Sequence, residues 1–479
     1  MIRFGDQRPT LVWFRDDLRL ADNPALAAAC RRGAPSVLLY VYDEKSPEIR
    51  PLGGAARAWL HQSLESFTKR LRAEGQTLVL RRGRADKVVP EVAAASGAAA
   101  VYWNRRYGAA AALDERVAAA LPRNGMVTAT FDANLLYAPS AIRTASGGSF
   151  KVFTPFWRAL RQAGEPRRPL PAPAKFPPAI PAKSDSLDSL KLIPTGHDWT
   201  AGIRDAWQPG EPGGGQALTA FIARLGDYAA KRDDPAADVT SRLSPHLRFG
   251  EISPHQVWQA VAATPGAAAR EKYLSELGWR EFAWHLLDDR PDLAATNLKP
   301  AFDAFPWAES YADDIWAWRR GRTGYPMVDA GMRQLWTTGW MHNRARMITA
   351  SFLAKHLLAD WRIGEEWFWD TLVDADPASN PVNWQWVAGS GADAQPFFRI
   401  FNPVLQGEKF DPNGAYVRRF VPELAGLPDR FIHKPWAAPE DVLAAAGVRL
   451  GTTYPPPIVD HAAARQRALD AFATLKRAS

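Results

Sequence analysis

The sequence predicts a protein of two parts: an α/β domain built on a parallel, Rossmann-like sheet, followed by an all-α domain. Three observations lead to this fold class. Short apolar segments alternate with helical stretches over residues 1–135, which is typical of a parallel sheet covered by helices. A Pro-rich stretch follows. From about Gly215 onward the apolar residues recur with helical spacing, and no strand-like run of similar strength interrupts them.

The α/β domain is expected at residues 1–135, with five strands and intervening helices. Parallel sheets often bind a ligand at the carboxyl ends of their strands. No GxGxxG follows the first strand, so a typical dinucleotide site is not expected there. Asn23-Pro24 marks the start of a capped helix. The predicted strands are 11–15, 37–42, 77–80, 99–103 and 127–131, and the predicted helices are 54–75, 86–96 and 110–121.

Residues 136–205 are expected to link the two domains. The segment 165–183 within them is rich in proline and carries several basic residues, a composition typical of an extended connector. The all-α domain is expected at 206–479. Its predicted helices are 217–231, 254–263, 267–289, 326–336, 342–358 and 365–372.

Composition excludes several classes of protein. The 479 residues are 47% hydrophobic and 23% charged, as in ordinary globular proteins of two domains. No run of 18 apolar residues and no N-terminal signal sequence is seen, so neither a membrane span nor secretion is expected. The single Cys30 allows no internal disulfide and fits a cytoplasmic protein. The nine histidines show no metal-ligand spacing, so no metal site is expected.

Charge and tryptophan content indicate a polyanionic partner and an aromatic site. The net charge is +8, which favours a polyanion but is also common in Arg-rich proteins. Twelve of the 20 tryptophans lie between Trp279 and Trp386. Such a density fits a stacking surface, a redox path, or both, although each single tryptophan taken alone fits a core position better than an electron path.

The stretch 374–403 combines two close acids, an asparagine-rich turn and a pair of tryptophans. Pro377, Pro381 and a Gly/Ser/Ala run break regular structure, so its polar groups are expected on loops between helices. By itself the stretch fits either a functional site or a buried aromatic turn. The residues that carry this pattern are Asp374, Asp376, Asn380, Trp384 and Trp386.

Three further motifs have a functional and a structural interpretation. The segment 240–244, TSRLS, precedes a helix, so it can hold a phosphate or simply cap that helix. Glu276 and Arg280 are four residues apart and share a helix face, as a surface ion pair would. Asn343 and Met347 have the same spacing and could pack a helix interface or face a ligand.

Taken together, these motifs resemble the DNA photolyase and cryptochrome family, most closely its bacterial cyclobutane pyrimidine dimer photolyases. WFRDDLRL at 13–20, TSRLSP, GWMHNRARM, the DxDxxxN…WQW…FRIFNP arrangement and YPPPIVDH at 454–461 carry the resemblance, which covers nearly the whole chain. It implies an antenna-chromophore domain followed by a helical domain that binds FAD and DNA. It also implies that Asn380 lies near flavin N5 and that Arg280 contacts the flavin phosphates. The full set of FAD residues implied is Tyr228, Thr240, Ser241, Arg242, Leu243, Ser244, Arg280, Asn343, Asp374, Asp376 and Asn380.

The resemblance also assigns residues to the lesion, the electron path and the DNA backbone. Relatives that repair (6-4) photoproducts carry proton-donating histidines where this chain has Asn343 and Met347. Neither replacement is a useful general acid, so a cyclobutane dimer is the expected lesion. The implied lesion contacts are Glu276, Trp279, Asn343, Met347 and Trp386. Electron transfer is implied for Trp384, Trp361 and Trp307, with Trp316 as an alternative outer residue, and phosphate contact for Arg344, Arg399 and Lys409.

The implied activity is light-driven repair, a carbon–carbon lyase reaction in which photoexcited reduced FAD donates an electron to a flipped-out dimer. The alternative is a cryptochrome-like blue-light photosensor without repair activity. The expected partner is UV-damaged DNA, single- or double-stranded, and the expected state is a monomer. An antenna chromophore is also expected, a methenyltetrahydrofolate in preference to a deazaflavin. Tyr42-Asp43-Glu44 either contacts that folate or starts a helix.

Overall fold

The computed structural model describes residues 7–122, 125–194, 196–309, 311–393 and 398–478. Residues 1–6, on which the expected absence of a signal sequence depends, lie outside these ranges. The chain divides into two compact units. The first comprises residues up to Gly226 with Ser241–Asp292 and Val373–Asp376, and the second comprises Asp227–Thr240, Leu293–Leu372 and the chain from Pro377 onward. The boundaries 1–135, 136–205 and 206–479, expected from composition, remain a prediction.

A five-stranded parallel sheet forms the centre of the first unit. Its strand order is β3-β2-β1-β4-β5, and Val12 of β1 pairs with Leu38 on one side and Tyr102 on the other. The inner strands are buried on both faces, which explains why they appear as continuous apolar runs. The strands are β1 Thr10–Phe14, β2 Ser36–Tyr42, β3 Leu78–Arg82, β4 Ala100–Asn104 and β5 Val127–Phe131.

Helices cover this sheet and begin where the sequence predicts. Asn23 caps the first helix by accepting a hydrogen bond from the backbone N–H of Leu26 at 3.1 Å, and Gly33 ends it with φ 73°. Apolar residues of the strands and helices form one buried cluster around Trp13 and Trp103. The helices are α1 Pro24–Arg32, α2 Gly54–Ala73, α3 Ala85–Ala95 and α4 Ala109–Ala120. The predicted fold of this part is confirmed.

The Pro-rich connector lacks regular helices and strands, as expected, but it belongs to the first unit, in which hydrogen bonds hold it to β2 and to Asp22. Its Ile180 N–H donates to Ser36 O at 2.9 Å, and Ser36 N–H donates to Pro178 O at 2.8 Å. Asp22 accepts from Leu170 N–H at 2.9 Å and from the Arg167 guanidinium. Two helices flank the connector, α5 Phe153–Gln162 and α6 Ala201–Ala206.

The remainder of the described chain is helical, which confirms the predicted all-α class. None of the helices in the described ranges is both long and apolar enough to cross a membrane. The α-helices are α7 Glu211–Lys231, α8 Ser244–Arg248, α9 Pro254–Ala262, α10 Ala267–Asp289, α11 Ala312–Arg319, α12 Pro326–Thr338, α13 Asn343–Ser351, α14 Trp361–Thr371, α15 Ser379–Ala388, α16 Pro403–Phe410, α17 Ala415–Phe420, α18 Asp429–Ile432, α19 Glu440–Ala445 and α20 His461–Ala478. The 3-10 helices are Pro139–Ala141, Asp188–Leu190, Pro300–Ala304, Pro422–Leu424 and Pro435–Ala437.

Two helical predictions need correction. The helix expected at 342–358 changes after Ser351 into a π-helix, Phe352–His356. The loop expected around Asn380 is instead α15, Ser379–Ala388. Pro381 does not interrupt α15 because it lies in the first turn, where a backbone N–H has no partner within the helix. The WQW tryptophans therefore lie on a helix rather than on a loop.

Candidate functional site

The acidic turn Val373–Asp376 presents two buried carboxylates in the first unit. Asp374 and Asp376 are each 8% exposed. Arg248 holds the turn, because its Nε donates to Ala375 O at 3.0 Å while its Nη1 bonds Asp16 at 2.7 Å. Buried carboxylates require hydrogen-bond donors. The turn thus holds two carboxylates, a type of group that accepts hydrogen bonds from N–H groups, in fixed positions.

In the predicted phosphate-binding loop before α8, the arginine side chain contacts other residues of the protein. Arg242 has φ 52°, its guanidinium lies 4.1 Å from the Trp207 ring, and it donates to Ala206 O at 3.1 Å. Leu243 is buried, and its N–H approaches Ser241 Oγ at 3.4 Å. This geometry assigns the Arg242 side chain to shaping the loop. The loop's hydroxyls and backbone amides are then the groups that suit an anion.

Helix α10 carries three predicted site residues on its partly exposed side. Glu276 forms an ion pair with Lys272 at 3.1 Å. Trp279 stacks face to face on Phe153, with ring centroids 3.7 Å apart. Arg280 donates to Glu281 at 2.9 Å and to Asn134 O at 3.0 Å. Arg280 is therefore held in place by its own helix and by the segment after β5.

Sequence reasoning missed Glu281, which is fully buried beneath Arg280. Its carboxylate accepts from Leu136 N–H at 2.7 Å and from the Arg280 guanidinium. Burial raises the pKa of Glu281 to about 7, although Arg280 and the backbone N–H groups of Leu136 and Tyr137 oppose the shift. No sequence pattern marks this residue as buried, because its backbone partner Leu136 lies 145 positions away.

In the second unit, α13 brings Asn343 and Met347 into contact. Asn343 is exposed at the start of the helix, and its Nδ2 lies 3.9 Å from Met347 Sδ. His342 precedes them and caps the helix, because its Nδ1 accepts from Arg344 N–H at 3.2 Å. Burial lowers the pKa of His342 to about 4, so this imidazole is neutral at neutral pH.

Asn380 on α15 is oriented by Glu365 on α14, a residue that sequence reasoning missed. The Asn380 amide nitrogen donates to Glu365 O at 3.0 Å and to Glu365 Oε1 at 2.8 Å. These two bonds use both amide hydrogens. The Asn380 side chain therefore offers its carbonyl oxygen, an acceptor, to any ligand. Asparagine and glutamate 15 residues apart give no sequence signal.

Trp384 and Trp361 are joined through α14. Trp361 is fully buried at the start of this helix, and its Nε1 donates to Asn297 Oδ1 at 3.0 Å. The Trp384 ring packs against Gly364, one turn further along, where a Cβ atom would overlap it. Phe368 meets the Trp384 ring edge-on at 4.9 Å. Helix α14 therefore carries Trp361 at its start and packs against Trp384 one turn later.

The structure does not decide between Trp307 and Trp316 as the outer residue of the predicted electron path. Trp307 is partly buried against Phe305, with ring centroids 4.4 Å apart, in a cluster that includes residues of α20. Trp316 is 55% exposed on α11, under the Arg320 guanidinium at 4.8 Å. Trp386 is partly buried on α15, two positions from Trp384 and so on a different side of that helix.

The predicted basic contacts differ in their surroundings. Arg344 forms an ion pair with Asp233 at 2.8 Å and lies 4.1 Å from the Phe410 ring. Arg399 and Lys409 are exposed, so they suit contact with a polyanion. Tyr228, predicted to touch FAD, is 6% exposed beneath Arg232, whose guanidinium lies 5.3 Å from the tyrosine ring.

No helix begins at the segment Tyr42-Asp43-Glu44, but its Asp43 caps the start of α3 from a distance. Asp43 accepts from Ala85 N–H at 2.8 Å, at the first residue of α3, and from Ser46 N–H at 2.9 Å. Tyr42 donates its hydroxyl to Glu44 at 2.8 Å. The Asp43 carboxylate is thus used to cap a helix and to close a turn.

Family models match both parts of the chain. The model described as DNA photolyase matches residues 10–175, and the model described as the FAD binding domain of DNA photolyase matches residues 273–474. A deoxyribodipyrimidine photo-lyase of Agrobacterium fabrum is 51% identical over 98% of both chains. The chain belongs to the DNA photolyase family. Its helical part, from residue 273 onward, is thus the FAD-binding domain of a photolyase.

Solved structures and a plant relative agree with this family. The crystal structure of a bacterial class III photolyase from Agrobacterium tumefaciens matches with a TM-score of 0.94 and 51% identity, covering 98% of both chains. Cryptochrome-1 of Arabidopsis thaliana is 40% identical over 95% of this chain and 69% of its own. The relatives of this chain thus include both proteins named photolyases and proteins named cryptochromes.

Proposed function

We propose that this chain repairs UV-damaged DNA by splitting cyclobutane pyrimidine dimers in a light-driven reaction. The observation that carries the proposal is the contact between Asn343, which is exposed at the start of α13, and Met347, which is half-buried one turn later. An amide and a thioether can pack on a pyrimidine dimer. Neither group transfers protons usefully at neutral pH. A lesion whose opening needs an electron and no proton relay fits this pair.

The residues present fit FAD as the cofactor. Asp374 and Asp376 are buried acceptors suited to the N–H and hydroxyl groups of a flavin. The guanidinium of Arg280 suits its phosphates. Asn380 offers a carbonyl oxygen because Glu365 takes both of its amide hydrogens. When bound in its reduced form and excited by light, FAD supplies the electron that opens the dimer and takes it back afterwards.

The remaining site residues are proposed to recognise the lesion and the DNA. Trp279 and Trp386 are partly exposed rings that can stack on an extruded pyrimidine pair. Extruding a damaged, poorly stacked base costs less than extruding an intact one, which provides selectivity. Glu276 can bond the pyrimidine edge. Arg399 and Lys409 contact phosphates without reading sequence.

Three further proposals accompany the repair function. An electron moves inward from the protein surface through either Trp307 or Trp316, then Trp361 and finally Trp384. A methenyltetrahydrofolate, in preference to a deazaflavin, serves as antenna, and the absorption spectrum of the chromophore released by denaturation distinguishes the two. The protein acts as a monomer on single- or double-stranded DNA, which size-exclusion chromatography and binding titrations test.

A cryptochrome-like photosensor is the second candidate, favoured by the 40% identity to Cryptochrome-1 of Arabidopsis thaliana. The two candidates differ in a direct assay. Reduced holo-protein is mixed with an oligonucleotide that carries one cyclobutane thymine dimer and is kept in blue light or in the dark. A matched oligonucleotide with one (6-4) photoproduct is the control. Light-dependent loss of the cyclobutane dimer alone is expected, whereas FAD-loaded protein that leaves it intact would move the photosensor to first place.

A further inference from the structure

The indole of Trp279 is supported on one face by a phenylalanine from another helix. The rings of Trp279, on α10, and Phe153, on α5, are almost parallel, with an interplanar angle of 9° and centroids 3.7 Å apart. Phe282 meets the same indole edge-on at 5.9 Å and 75°. Trp279 nevertheless remains partly exposed. Among the described residues, no other aromatic ring contacts this indole, so the face opposite Phe153 has no aromatic partner.

Phe153 is itself held firmly. It is 8% exposed, and the Trp157 ring lies nearly parallel to it at 6.2 Å and 12°. Trp157 in turn packs on the backbone of α10 at Gly278, where a Cβ atom would lie 2.5 Å from its ring. The absence of a side chain at Gly278 therefore lets α5 approach α10 directly beside Trp279. The arrangement fixes the plane of the indole.

We propose that Phe153 is a positioning residue for lesion recognition: it holds the Trp279 indole so that the free face is presented to an extruded pyrimidine dimer. The inference rests on the proposed repair function, in which Trp279 stacks on the lesion. An unsupported indole would have to be ordered when DNA binds, and that ordering would weaken the complex. Phe153 removes this cost by ordering the ring beforehand. Undamaged DNA, which extrudes no base, should not depend on Phe153.

The same helix offers a matched control in Phe156. This residue is fully buried and packs against Phe282 at 5.2 Å and against His285 at 4.9 Å. No ring contact between Phe156 and Trp279 occurs among the described residues. Shortening Phe156 therefore disturbs the α5–α10 packing without removing the support under the indole.

The test compares F153L, F153Y and F156L with the wild-type holo-protein. Dissociation constants are measured in the dark for an oligonucleotide with one cyclobutane dimer and for the same oligonucleotide undamaged. F153L should weaken dimer binding about two- to tenfold, the range expected when one side chain must be ordered on binding, with no change for undamaged DNA. F153Y should restore the wild-type value. F156L should lower the melting temperature and leave the ratio of the two constants unchanged.

Two outcomes would overturn the proposal: an unchanged ratio in F153L, or an equal loss of preference in F156L. A double variant distinguishes a loss of indole positioning from a general loss of folding. In a W279L background, F153L should cause no additional loss, because the indole that it supports is gone, whereas an additive loss contradicts the positioning role. Wild-type protein without any preference for the dimer would instead overturn the proposed repair function, before any variant is compared. The FAD absorption spectrum of each variant reports its folding.

Discussion

At the scale of single residues, the hydrogen bonds within the protein determine what each side chain offers to a ligand. Asn380 illustrates this, because an amide can present either a donor or an acceptor. Glu365 takes both amide hydrogens, at 3.0 and 2.8 Å, and so leaves the carbonyl oxygen for the ligand. In the proposed FAD site, an acceptor beside flavin N5 would favour the reduced cofactor, which carries a hydrogen there. Glu365 thus acts through Asn380 rather than by direct contact.

The variant E365L tests this role. Without the carboxylate, the Asn380 amide can rotate and the bias toward an acceptor is lost. A net hydrogen-bond contribution of about 1 kcal/mol corresponds to roughly a fivefold change, so we expect about fivefold faster reoxidation of the reduced flavin in the dark, followed by absorbance. Asn383, whose amide donates to Ser379 O on the same helix, provides the control: N383A should behave as wild type. Equal rates in E365L and wild type would rule out the orienting role.

Glu281 gives a prediction for pH dependence. Burial raises its pKa to about 7 from an ordinary value of 4.5. The folded chain therefore binds this proton more tightly than the unfolded chain, so the stability contributed by Glu281 falls as pH rises from 4.5 toward 7. E281Q cannot titrate. Relative to E281Q, the wild-type protein should lose up to about 3 kcal/mol of unfolding free energy between about pH 5 and pH 8.

Urea denaturation of both proteins across this pH range measures the difference directly. The buried histidines, whose pKa values burial lowers, titrate in both proteins and cancel in the comparison. A difference between the two proteins that stays constant with pH would show that Glu281 is charged throughout.

At the scale of elements, glycine allows helices to pack where a functional ring must fit. Gly364 on α14 lies directly against the Trp384 ring of α15. Replacing it by alanine adds a Cβ atom that overlaps the indole, so either the ring or the helix must move. Overpacking of this kind typically costs 1–3 kcal/mol. Because Trp361 begins the same helix, the shift would change the spacing of Trp361 and Trp384, the proposed inner pair for electron transfer.

The variant G364A is therefore expected to lower the unfolding free energy by about 1–3 kcal/mol and to slow the photoreduction of oxidised FAD. The matched control is G226A, because Gly226 lies within α7 and has open space at its Cβ position. That change should stabilise the protein by up to about 1 kcal/mol and leave photoreduction unchanged. Transient absorption and thermal denaturation provide the two measurements. If G364A is destabilised but its photoreduction rate is normal, the packing at Gly364 does not affect electron transfer.

The elements that sequence predicts correctly are those whose own pattern is strong. The buried parallel strands are continuous apolar runs. The start of α1 is predictable because Asn23 caps the helix that follows it directly. Helix α5 escaped prediction although Phe153, Phe156 and Leu160 show helical spacing. Pro381 predicts a break in regular structure, although it lies in the first turn of α15, where proline is tolerated. The neighbouring residues alone do not show where this helix begins.

The candidate site was only partly predictable for a related reason. Motif residues such as Asn343 and Met347 could be paired from their spacing, and the structure brings them together. Glu365 and Phe153 contact site residues that are distant in the chain, and Glu281, next to Arg280, is bonded to the distant Leu136. Their roles follow from tertiary packing, which cannot be recognised from a local sequence pattern. A sequence therefore shows the groups that contact a ligand more readily than the groups that hold them.

At the scale of the whole molecule, the net charge of +8 favours binding to DNA, but only cations that contact phosphate should change its salt dependence. Each phosphate contact adds about 0.9 to the slope of log K against log salt concentration. R399Q and K409Q remove exposed cations and should each reduce this slope by about 1, for damaged and undamaged DNA alike. K434Q provides the control, since it changes the net charge equally but removes a lysine paired with Glu408 at 2.7 Å. Fluorescence titrations at several salt concentrations measure the slopes, and an equal decrease in K434Q would assign the effect to overall charge rather than to these two contacts.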